Sequence, residues 1–257
     1  MESMPDKDVQ RAYRRCAALQ RRHDPTFHLA TGWLPRDVRP AVHALYGFLR
    51  GADEIVDGDG RPPTPAARRA ALDGWQRELE EGVACGRSDH PVIAALVDAG
   101  RRHDLPLHEL SVYMDSMRVD CDGRVRLRSR EELDTYMNGS AATVGRVIAP
   151  LLGVPAGARE EVARLGVAFQ LTNFLRDVRE DYAMDRVYLP GLDEDALAAG
   201  RPAPAPGEEV ARARELFRSA RAVCAYARPR TRSGIRLACA VYLRYLGRIE
   251  RRGMVAA

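Results

Sequence analysis

The 257-residue sequence predicts an all-α protein, on three observations. Apolar residues recur at helical spacing through most of the chain, and no stretch alternates apolar with polar residues as a half-buried strand would. Aromatic residues make up 6% of the chain against 46% hydrophobic residues overall, a balance found in many helical proteins and few β-sandwiches. The breaks between the periodic stretches carry helix-ending chemistry, chiefly glycine and proline.

In chain order, helices are expected near 6–23, 36–57, 65–82, 91–103, 107–120, 130–151, 157–184, 208–227 and 232–251. The second ends in the Gly/Asp/Pro run at 58–65, and the sixth near Leu152, just before Pro155. Met114 and Met117 read as core of the fifth. The Leu237–Leu246 stripe reads as the core face of the last. Residues 200–207, dominated by glycine and proline, read as a loop and as the most mobile segment. No internal repeat and no linker divides the chain. A single domain over 1–257 is expected, long enough to bury a sizeable core.

Forty basic residues nearly balance 36 acidic ones, for a net charge of +4, and Lys7 is the single lysine. The arginines are interleaved with acids along the chain, which suits solvated helix faces and argues against nucleic acid as a partner. Cys16, Cys85, Cys121, Cys224 and Cys239 are odd in number and show no Cys-x-x-Cys spacing. They read as reduced thiols of a cytoplasmic protein. The first residues are polar, without an apolar signal region, and no run of about 18 apolar residues suggests a membrane span. Peripheral contact with a membrane surface, for a greasy substrate, remains compatible with this pattern.

The chemistry concentrates in two acidic pairs. Asp53 and Asp57 are four residues apart in one predicted helix, and Asp177 and Asp181 are four apart in another, so each pair projects from one face. Gln170, Asn173 and Arg176 precede the second pair at spacings of three or four, and Arg50 lies one turn before the first. An isolated Asp pair at this spacing is common on solvated faces. Here both pairs sit among Leu, Ile, Val and Phe positions with an arginine close by, and burying so many polar groups demands partners. Magnesium takes one or two carboxylates from the protein and completes its octahedron with water and substrate phosphates. Two such faces across a cleft, with arginine forks for phosphate oxygens, suit ionisation of an allylic diphosphate in an apolar pocket.

The words around these acids resemble the squalene/phytoene synthase family. Leu165-Gly-Val-Ala-Phe-Gln170 through Asn173, Arg176, Asp177, Asp181 and Arg186-Val-Tyr188-Leu-Pro190 is similar to one of its signatures, and Tyr136 through Gly145 to another. Leu29-Ala-Thr, Leu34-Pro35 and Arg39 through Tyr46 to Asp57 resemble its N-terminal block. The resemblance runs from about residue 20 to 190. It implies the isoprenoid synthase fold around a central cavity, with Mg2+ bridging diphosphate to Asp53, Asp57, Asp177 and Asp181. It further implies Tyr46 and Arg50 near the pyrophosphate, with Gln170, Asn173, Arg186 and Tyr188 completing the polar end.

Three departures bear on the acceptor. Thr26-Phe-His28 stands where relatives carry Ser-Phe-Tyr or Thr-Tyr-Tyr; His28 reads as a base or, more simply, as a structural histidine, and His43 and His103 as structural too. The stretch after Pro190 is short. The end, Arg248 to Ala257, lacks the further basic segment that helps hold a second diphosphate, although Arg251 and Arg252 could substitute. The last of these favours transfer of the prenyl group to a small aromatic, non-isoprenoid acceptor, whereas the full signatures favour the alternative. The alternative is head-to-head condensation with a second prenyl diphosphate, giving a phytoene- or squalene-type hydrocarbon. A non-catalytic helical binding protein is the remote third, against which the intact acids argue.

Overall fold

A computed structural model describes residues 7–201 and 206–254, and the structural statements below concern these. The all-α expectation holds. The helices are α1 (Lys7–His23), α2 (Pro25–Thr31), α3 (Arg39–Asp57), α4 (Pro65–Cys85), α5 (Pro91–His103), α6 (Leu110–Asp120), α7 (Arg130–Met137), α8 (Thr143–Ile148), α9 (Arg159–Arg176), α10 (Val178–Ala183), α11 (Glu194–Ala198), α12 (Gly207–Leu216), α13 (Ala220–Tyr226) and α14 (Pro229–Arg252). None of them is long and apolar enough to cross a membrane. Most of the mobile loop expected at 200–207 lies outside the described residues.

Proline at the first turn starts α2, α3, α4, α5 and α14, where its missing N–H is no loss. The Thr64 side chain caps α4, Ser129 caps α7 and Asp193 caps α11, each accepting from a backbone N–H three residues on. Gly86 (φ 73°) and Asp104 (φ 51°) terminate α4 and α5 in the left-handed region.

Several expected helices prove to be interrupted. The one placed at 130–151 divides into α7, a π-helical stretch at Asn138–Ala142, α8 and a closing 3-10 turn. Small residues permit this: a Cβ on Gly145 would lie 2.7 Å from the Val162 carbonyl oxygen of α9, and one on Gly166 2.7 Å from that of Ala141. The one placed at 157–184 breaks at Asp177, whose backbone (φ −98°, ψ 12°) leaves the helical region between α9 and α10. The one placed at 208–227 becomes α12, a 3-10 turn and α13. Pattern also missed α2, α11 and a two-residue parallel ladder, β1 (Val125–Arg126) with β2 (Arg186–Val187). Strands of two residues are too short to alternate.

Two apolar clusters carry the packing. One gathers α1, α3, α4, α5 and α6 around Phe48, Leu72, Ile93, Leu96 and Met114. The other gathers α7, α9, α12 and α14 around Leu133, Leu171, Leu175, Phe217 and Leu246. Met114 and Met117 are buried, as expected. The Leu237–Leu246 stripe is a core face as expected along Cys239, Tyr242, Leu243 and Leu246, whereas Leu237 and Val241 on the same helix are exposed. Cys16, Cys85, Cys121, Cys224 and Cys239 are all free thiols.

Candidate active site

The last two turns of α3 bring Asp53 and Asp57 to the border between the clusters. Asp53 is half-buried and accepts a hydrogen bond from the Tyr113 hydroxyl of α6 at 3.3 Å. Burial pushes its carboxyl up to about 6, against the opposing pull of Arg50. Asp57 is more open and is gripped by both Nη atoms of Arg186, at 2.8 and 2.5 Å. This two-pronged geometry is the strongest form of arginine–carboxylate contact.

Arg186 owes its position to the turn before it. Asp185 adopts a left-handed conformation (φ 59°), which aspartate tolerates better than most residues. The Asp185 carboxylate accepts from Arg126 at 2.6 Å and its carbonyl from the Val125 N–H at 3.1 Å, so the ladder and the ion pair hold the turn together. Two residues on, the Tyr188 hydroxyl donates to Asp120 at 2.9 Å.

On the opposite wall, Arg176 holds Asp177 with two bonds of 2.5 Å while its guanidinium lies 5.5 Å from the centre of the Tyr245 ring. Asp181 is half-buried. Burial and the neighbouring Asp177 carboxylate push it up to about 7, opposed by Arg186. The same Arg186 thus bears on acids from both walls, and Asp120 bears on both Asp53 and Asp181. The Oδ1 of Asn173 is buried and has no hydrogen-bond partner among the described residues, and Gln170 is half-buried one turn before it. Tyr46 is half-buried with its ring 6.1 Å from Phe27. Arg50 donates to Glu54, one turn on, and its Nε has no partner among the described residues.

Acid-pair spacing missed Asp120, at the end of α6. It is 5% exposed and accepts from the hydroxyls of Tyr136 at 2.6 Å and Tyr188 at 2.9 Å. No acid stands four residues from it. Its signal was subtler, a charge on the stripe of Tyr113, Met117 and Asp120 that otherwise faces the core. Tyr136, Phe174 and Tyr188 form an aromatic cluster over it, the last two stacked at 4.4 Å. His43 is structural: its Nδ1 lies 2.5 Å from Gln20 Oε1 and its ring stacks on His28 at 5.2 Å. The Nδ1 of His28 is buried without a partner among the described residues, so that histidine is not fully satisfied.

Among the described residues, no three His, Cys, Asp or Glu side chains converge tightly enough to hold an ion by themselves. Hard oxygen donors in two aspartate pairs, with the unpartnered amide oxygen of Asn173 one turn before Asp177, nonetheless fit a cation that completes its shell with phosphate and water.

Helices packed around two facing aspartate pairs, with arginines and tyrosines at the polar end, define an all-α protein of the isoprenoid synthase class. The family model for squalene/phytoene synthase matches residues 20–255, and the chain belongs to that family. It is 36% identical over 199 residues to a 15-cis-phytoene synthase of Synechocystis, covering 72% of this chain and 58% of that protein. It is 37% identical over 191 residues to a phytoene synthase of Thermus thermophilus, covering 72% and 63%. Among solved structures, a squalene synthase, HpnC, from Alicyclobacillus acidocaldarius superposes with a TM-score of 0.84 at 25% identity, over 98% of each chain. The chain therefore spans about three fifths of the length of the two phytoene synthases.

These relatives overturn the expectation of a small aromatic acceptor. Proteins 33–37% identical to the chain are named phytoene synthases, which favours head-to-head condensation.

Proposed function

We propose that the protein joins two prenyl diphosphates head to head, in a Mg2+-dependent reaction that yields a phytoene- or squalene-type hydrocarbon. The observation that carries this reading is the likeness to phytoene synthases at 33–37% identity, joined to a site with both aspartate pairs intact. Bound Mg2+ would neutralise the diphosphate and make it a better leaving group. Asp53 and Asp57 on one wall, and Asp177 and Asp181 on the other, are the carboxylates suited to hold it. Arg50, Arg176 and Arg186 supply donors for the diphosphate oxygens, with Tyr46, Gln170, Asn173 and Tyr188 orienting the polar end. An apolar pocket beside the departing diphosphate would shelter the carbocation from water. The first condensation would release one pyrophosphate and a proton and give a cyclopropyl intermediate; a second ionisation at the same site, ring opening and loss of a further proton would give a phytoene-type hydrocarbon without a reductant. Free thiols suit a reducing compartment, and we place the protein in the cytoplasm on that ground.

The test is mass spectrometry of products from purified protein, Mg2+ and C15 or C20 prenyl diphosphates. A C30 or C40 hydrocarbon made from diphosphate alone is the expected result. Release of pyrophosphate with only a prenyl alcohol formed would overturn the reading.

A further inference from the structure

Arg186 is 8% exposed and makes contacts on two sides. In front, both its Nη atoms hold Asp57, whose side chain is 46% exposed toward the cleft. Behind, Nη2 donates to the main-chain carbonyl of Asp120 at 3.3 Å. The Asp120 carboxylate is itself fixed by two hydroxyls, those of Tyr136 and Tyr188, and Tyr188 directly follows the strand that carries Arg186. A carboxylate this buried and this closely held cannot turn outward to meet a ligand. Its charge reaches Arg186 through space, since the guanidinium bonds the Asp120 main chain and not its carboxylate.

A cation that takes Asp57 must take it from Arg186. Removing Asp57 would leave a buried guanidinium facing inward, and a buried charge without a counter-charge is costly. We propose that Asp120 is a positioning residue that supplies this resident counter-charge, so that Arg186 stays in place while Asp57 passes between the guanidinium and a divalent cation. This inference rests on the reading of the aspartate pairs as a metal face. It adds that metal capture and arginine placement are coupled through one buried acid that touches neither metal nor substrate.

Mn2+ binding to the purified protein, followed by electron paramagnetic resonance of the free ion, tests it without turnover. Asp120→Asn should weaken Mn2+ binding about tenfold, because Arg186 then holds Asp57 more tightly. Arg186→Gln should strengthen binding by freeing Asp57, and the double variant should bind like Arg186→Gln alone. Equal Mn2+ affinity in wild type and folded Asp120→Asn would overturn the proposal, as would a loss of the same size persisting in the Arg186→Gln background. If Asp120→Asn does not fold, Tyr136→Phe removes one of the two hydrogen bonds at the same carboxylate; a smaller loss, again cancelled by Arg186→Gln, is expected, and none would overturn it. Wild-type protein that binds no Mn2+ would instead remove the metal face itself, a distinct failure.

Discussion

Four aspartates of two matched pairs occupy three kinds of environment. Asp57 and Asp177 are each clamped by an arginine, Asp53 is bonded to a tyrosine, and Asp181 is half-buried between a carboxylate and Arg186. Replacing Asp53 or Asp177 by alanine should lower pyrophosphate release about 100-fold or more while leaving the far-ultraviolet circular dichroism unchanged. Near-normal release in either variant would contradict the site assignment. The raised carboxyls also have a stability consequence. Asp181 titrates at about 7 and Asp53 at about 6 when folded, against 3.8 as the ordinary value, so between pH 4 and 7 the folded state holds protons that the unfolded chain has lost. Stability falls with rising pH wherever the folded state binds more protons. The metal-free melting temperature should therefore decline from pH 5 to 7.5, and Asp181→Asn should flatten that decline. Spacing alone made the two pairs, Arg50 and Arg176 legible in the sequence. It could not reveal Asp120, because a lone acid on a core stripe has no partner in the pattern, nor that Arg50 turns to Glu54.

Helix breaks are what aim the site. The interruption at Asp177 lets α10 leave the axis of α9, and the π-helical stretch at Asn138–Ala142 sits where α7–α8 presses on α6 and α9. π-Helical turns recur near functional sites because they re-aim side chains within a helix. The crossing itself is a backbone-on-backbone contact. Gly145→Val should destabilise the fold by about 1–3 kcal/mol in chemical denaturation, since the neighbour it meets is the main chain of α9. Gly60→Ala is the control: its Cβ would meet nothing within 4 Å, and its stability should match wild type. Helical periodicity located most of the long elements and placed α1 and α5 well. It could not show where they break, because the small residues at 138–145 continue the helical pattern and only their neighbours impose the π turn. The ladder of β1 with β2 was equally silent, its register set by contacts 61 residues apart in sequence.

At the scale of the molecule, the polar end lies between two apolar clusters and draws on both. Asp53 and Asp57 belong to α3 of the first, and Asp177 and Asp181 flank α9 of the second. A ligand that bridges the two walls binds the folded state alone, and saturation at 100 times its dissociation constant would add about 2.7 kcal/mol. Mg2+ and pyrophosphate together should therefore raise the melting temperature by several degrees, and either alone by much less. Equal shifts from pyrophosphate alone would argue that arginines, and not carboxylates with metal, dominate the site. Fold class was legible because periodicity is a property of the whole chain. The acceptor was not, because it depends on how a cavity is shaped by residues scattered over many helices. The two-residue ladder has one more consequence, in time. Arg186 reaches Asp57 only when residues 125–126 have found residues 186–187, a closure far longer than any helix needs, and such contacts form late in folding. A newly made chain should therefore become helical well before it becomes competent, with the arginine that meets the acids of α3 among the last groups to arrive.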